Sequence, residues 1–147
     1  MSDNLNTSRA SIIGQYIVTK FEEDTSLGFE AVYYGDQDLI PHTPTMCVDT
    51  GITGRELAGA PFRTINHIQI FLLIYHSPMS NSQKSRLECD QFTEAVVAKM
   101  HEDLNLNGLV IHGYCTSLEP GYATRGGALL RASRITWEGL TKTGAIE

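Results

Sequence analysis

Along Arg63–Ser77, RTINHIQIFLLIYHS, apolar residues first alternate with polar ones and then close into a solid block. The even positions Ile68, Ile70, Leu72 and Ile74 form one apolar face. The odd positions begin polar at His67 and Gln69 and turn apolar at Phe71, Leu73 and Tyr75. Period two predicts a strand with one face buried throughout and a second face buried only in its last third. That second face needs cover from a return of the chain or from another subunit.

Helical spacing of Ile13, Tyr16, Ile17, Lys20 and Phe21 predicts a helix over about Thr7–Glu23, with Asn6 or Thr7 as its cap. A second helix is expected from the SPMSNSQ segment, where Ser80 and Gln83 fit a capping box, to about Leu106. Its buried stripe is Cys89, Phe92, Val96, Met100 and Leu104, and Gly108 is suited to end it. Phe29–Gly35, Thr45–Asp49, Leu109–Glu119 and Ala128–Leu140 read as further strands, with PGYATRGG as a turn. Gly51–Pro61, TGITGRELAGAP with the preceding threonine, carries three glycines and a proline, and we expect a mobile loop over 50–62. Residues 141–147 read as a loose tail. Together these predict a single domain over 1–147 with an ordered core at about 7–142. Its class is α+β, a mostly antiparallel sheet with an N-terminal and a central helix packed on one face.

Composition narrows the functional classes. The formal net charge of −6 argues against a general nucleic-acid or membrane-surface binder. Only 125–142 reverses sign, where Arg125, Arg131, Arg134 and Lys142 face Glu138 alone. Three widely spaced cysteines, Cys47, Cys89 and Cys115, suggest reduced thiols rather than a disulfide framework. No run approaches the ~20 apolar residues of a membrane helix, and the start lacks a signal-peptide core, so we expect a soluble intracellular product with no membrane partner. The five histidines are scattered without zinc-like spacing. His112 and Cys115 fall on opposite strand faces, and GYATRGG lacks the Lys-Ser/Thr pair of a phosphate loop. No catalytic set, metal or cofactor is expected.

Two features remain. Arg131 and Arg134 read most simply as edge-strand charges that guard against aggregation or pair with a neighbouring helix; the alternative is an inter-subunit contact with the acidic N-terminal half. Glu22, Glu23 and Asp24 close a helix and read first as a solvated end; acids there oppose the dipole, so a partner at that end is the alternative.

The segments VYYGDQDLIPHTPTMCVDTG, INHIQIFLLIYH with SRLECDQFTEAVVAKMHEDLNLNGLV, and GALLRASRITWEGLTKT give a layout that resembles the tail terminator, or tail completion, proteins of long-tailed bacteriophages. The likeness covers roughly residues 10–142 and is one of order and texture. It implies a non-enzymatic virion protein, made in the host cytoplasm and placed at the head-proximal end of the tail. There a homohexameric ring would cap the tube, stop its growth and offer a docking face to the neck. The implied partners are further copies of the chain, the tail tube protein, a neck or stopper protein, and sheath if the tail contracts. Genomic DNA only passes through the channel, which an acidic protein suits. Another head–tail joining protein, such as a stopper or adaptor, is the alternative, followed by a small α+β ligand-binding module or enzyme. The candidate subunit or tube interface is Phe71, Leu73, Tyr75, Arg131 and Arg134, with Thr53, Arg55 and Glu56 from the expected loop.

Overall fold

A computed structural model describes residues 9–57, 64–78 and 82–143. Its elements run α1 (Arg9–Glu22), β1 (Ala31–Tyr34), β2 (Thr45–Leu57), β3 (Thr64–Pro78), α2 (Ser82–His101), β4 (His112–Arg125) and β5 (Ala128–Thr143). The five strands form one sheet in the order β1-β2-β3-β5-β4. β1 and β2 are parallel and every other pair is antiparallel, which makes the fold α+β as the pattern predicted.

Both helices pack on the same face. α1 lies over β1 and β2, and α2 over β3, β4 and β5. Ile13, Ile17 and Phe21 of α1 and Val96 and Met100 of α2 meet Ile68, Ile70, Leu72 and Ile74 of β3 in the main core, with Ile135 and Trp137 of β5. The even positions of β3 therefore do what their periodicity predicted. The helices are also tied to each other's ends. The Tyr16 hydroxyl donates to Asp103 at 3.0 Å, and Lys20 reaches the same carboxylate at 3.5 Å. Lys99 pairs with Asp24 at 2.6 Å, so the cation that the acidic end of α1 calls for comes from α2.

Several boundaries differ from the pattern. The expected 50–62 loop is strand through Leu57, because β2 keeps pairing with β3 past a register shift between Thr50 and Thr53. Backbone pairing along a 15-residue neighbour outweighs the low strand preference of Gly51 and Gly54. The rest of that loop, 58–63, lies outside the described residues. β4 runs through the expected turn to Arg125 and meets β5 at Gly126–Gly127, where φ values of 60° and 82° favour glycine. β5 continues to Thr143, and Thr141 is buried, so the predicted tail at 141–147 is strand over its first three residues. α2 ends at His101, after which Leu106, Asn107 and Gly108 all take positive φ. Because the helix has already ended, Leu104 no longer follows its phase; it is exposed, and Leu106 is buried in its place. The caps expected at Asn6, Thr7 and Ser80 lie outside the described residues.

Candidate interaction face

The sheet face opposite the helices carries the candidate site. Ladder register sets its side chains in rows. From one end they run Thr45–Tyr75–Ala132–Gly121, then Cys47–Leu73–Arg134–Glu119, then Asp49–Phe71–Thr136. Gln69–Glu138–Tyr114 and Gly54–His67–Leu140–His112 complete the face.

The chain itself covers the first row and the Cys47–Leu73 half of the second, while Arg134 and Glu119 stay exposed. Parallel neighbours such as β1 and β2 need a connection that leaves the sheet plane. α1 occupies the helix side, so residues 35–44 cross on the other. Ile40 lands there in a second small core with Cys47, Tyr75, Leu130 and Ala132, bordered by Tyr33, Leu73 and Ala123. Asp36 anchors the crossing: it accepts hydrogen bonds from the Tyr75 hydroxyl at 2.7 Å and from Arg125 at 2.6 Å. Burial raises the Asp36 carboxyl, but those two bonds and the guanidinium charge outweigh it and leave it below the ordinary carboxylate range. Arg125 also donates to the Tyr75 hydroxyl at 2.8 Å and stacks 5.0 Å from its ring.

The remaining rows have no such cover among the described residues. Phe71 is half-buried, and the Arg134 guanidinium lies 4.9 Å from its ring while donating to Glu119 at 3.1 Å. Beyond them a groove of about 520 Å³ is lined by Gly54, His67, Gln69, His112, Tyr114, Glu138 and Leu140, with the strand backbone at Ile68 and Gly139. Tyr114 is half exposed.

The predicted interface residues separate into groups. Phe71, Leu73, Tyr75 and Arg134 share this face. Tyr75, at 2% exposure, is sealed by its own chain, so the cover sought for it is the 35–44 crossing. Arg131 is on the opposite face, buried beneath the helix layer with its guanidinium 4.6 Å from the Tyr122 ring. Three residues along a strand reverse the side, so Arg131 and Arg134 cannot act as a pair on one face. Neither guards an edge, since β5 lies between β3 and β4. Thr53 is exposed on β2. Arg55 and Glu56 occupy β2 positions opposite Asn66 and Ile65. The groove and the Asp36–Tyr75–Arg125 cluster were missed from sequence. The polar odd positions His67 and Gln69 signal the groove, whereas an aspartate in a segment with two prolines carries no signal beyond that of a turn.

Three stretches of sheet edge lack a strand partner among the described residues. One is the outer side of β4. The others are the outer side of the short β1 and β2 beyond Val48, where its pairing with β1 ends. The first lies at the opposite end of the sheet order from the other two.

Burial pushes the thiols of Cys47 and Cys115 up to about 12, which keeps both protonated and weakly nucleophilic. Among the described residues no group of three or more His, Cys, Asp or Glu side chains is placed to hold a metal ion. No described helix is long and apolar enough to cross a membrane.

No family model matches the chain, and no curated protein matches its sequence. A chain in the solved virion of a native gene transfer agent particle is similar over 84% of this chain and 90% of its own, at 8% identity and a TM-score of 0.47.

Proposed function

We propose that this protein is a structural subunit of a head-to-tail ring that caps a phage tail tube, as the sequence resemblance implies. The observation that favours a ring is the placement of the edges that have no strand partner among the described residues. β4 and the outer part of β2 are at opposite ends of one sheet, so a contact joining one to the other leaves both edges free again for further copies. Identical contacts of this kind close into a ring when the rotation allows and otherwise extend into a filament. Unpaired edges that long invite strand addition. The uncovered rows at Phe71, Arg134 and the groove offer a second surface, suited to the tube, the neck or an adjoining subunit.

Native mass and negative-stain imaging of the purified protein test the ring: six-fold particles are expected, and a monomer at assembly concentrations overturns it. Leu73→Asp and Arg134→Glu should reduce ring formation. Arg134→Glu serves as the control for folding, because its side chain is 46% exposed. Wild-type assembly by both variants removes this face from the interface. Loss of a terminator gives overlong tails without heads, so tails of normal length after its loss favour the neck-protein reading instead.

A further inference from the structure

The crossing that seals Tyr75 is built differently from the rest of the domain. Residues 35–44 form neither helix nor strand. Leu39 is largely exposed, and only Ile40 is sunk into the sheet. The core beneath it is a separate cluster, sharing no buried residue with the one under the helices. One polar clasp ties the crossing to the β4–β5 hairpin: Arg125 to Asp36, with the Tyr75 hydroxyl bridging both. Leu39 adds an apolar touch beside Gly126, where a Cβ would fall 2.2 Å from its Cδ1. Cys47, fully buried, lies beneath the crossing in the same small core as Ile40.

We propose that residues 36–44 are a hinged strap, which the Asp36–Tyr75–Arg125 clasp holds shut and which opens as a unit while the helix-backed core stays folded. Local opening of this kind occurs where a segment has few buried contacts and few backbone bonds of its own. Gly35, at φ 93°, and the start of β2 at Thr45 bound the moving piece. Opening uncovers Cys47, Leu73, Tyr75 and Leu130 and extends the uncovered rows at Phe71 into one continuous apolar strip. The strap thereby sets how much of this face is available for contact.

Cys47 reports on the strap and Cys89 on the main fold. Cys89 is buried on the inner side of α2, on the other side of the sheet, beside Thr93 and Ser133. The full-length protein is treated with iodoacetamide, and alkylation of each cysteine is followed with time by peptide mass spectrometry. Removing a charge-assisted clasp bond by Arg125→Ala should speed Cys47 labelling by roughly tenfold to a hundredfold and leave Cys89 unchanged. Asp36→Asn, which keeps an acceptor for Tyr75 and loses the charge, should fall between Arg125→Ala and the wild type. Raising salt should speed Cys47 labelling in the wild type more than in Arg125→Ala. The proposal is overturned if Cys47 labelling is unchanged in both variants, or if Cys47 and Cys89 accelerate together, which would mean the whole domain opens.

Discussion

Trp137 sets a specific test of the packing. Its indole, 1% exposed, lies across the backbone of Gly113 and Gly139, which face each other in the β4–β5 ladder. A Cβ on Gly113 would fall 2.1 Å from Trp137 Cζ2, and one on Gly139 would fall 2.4 Å from Cη2. The ring must therefore shift in Gly113→Ala, and the main core around it leaves no room. Overpacking of this kind costs about 1–3 kcal/mol. Against that stands the gain of about 0.5–1 kcal/mol that alanine has over glycine within a strand. The net expectation is a loss of about 1–2 kcal/mol. In a Trp137→Val background the obstacle is gone, and the same substitution should stabilise by about 0.5 kcal/mol. The sign reversal implies a coupling of about 2 kcal/mol, within the range for residues in contact. Urea unfolding followed by far-UV circular dichroism measures all four corners of the cycle. It does not depend on the tryptophan, the only one in the chain. If Gly113→Ala is equally destabilising in both backgrounds, the glycine is needed for its backbone and not for the ring.

Two further substitutions probe the polar ties. Thr93 donates to the Cys89 carbonyl at 2.7 Å and shares a 2.7 Å bond with the Ser133 hydroxyl, all buried between α2 and β5. Thr93→Val should cost about 1–3 kcal/mol by stranding Ser133, and adding Ser133→Ala should recover part of it in thermal unfolding. Asp24 is held down to about 2 by hydrogen bonds from Lys99 and from the Ser26 side chain and backbone. A carboxylate depressed in the folded state adds stability above its unfolded value near ~3.9, and loses it as pH falls toward the folded one. Urea midpoints of wild type and Asp24→Asn should therefore differ at neutral pH and converge as pH falls to about 2; a constant gap refutes the assignment.

How far the sequence could be read depended on whether a signal was local. The face of β3 and the stripe of α1 follow from period alone, since each side chain's neighbours along its own element decide its burial. The strand character of Thr50–Leu57 does not, because it comes from a partner strand and opposes the preference of its glycines. The central place of β5 is equally invisible: its residues alternate as they would at an edge, and only the register with both β3 and β4 shows otherwise. The apolar second face of β3 calls for cover over Tyr75, yet the segment that supplies it, DQDLIPHTP, is mostly polar, carries two prolines and has no periodicity that would announce a packed strap. Arg131 and Arg134, adjacent in charge along the chain, are separated by the pleat.

The position of β5 has a consequence during synthesis. It is the last of the described elements to leave the ribosome, yet it fills the gap between β3 and β4. Until it arrives, β3 presents its apolar block along a bare edge, and β4 has no neighbour. A nascent chain can assemble α1, β1, β2 and β3 early, but it cannot close the sheet. Pairing strands this distant in sequence is slow, and an exposed apolar edge is a place where chains join wrongly. The order in which the elements are made thus leaves a brief interval in which the growing chain depends on dilution or on chaperones to keep its centre unpaired.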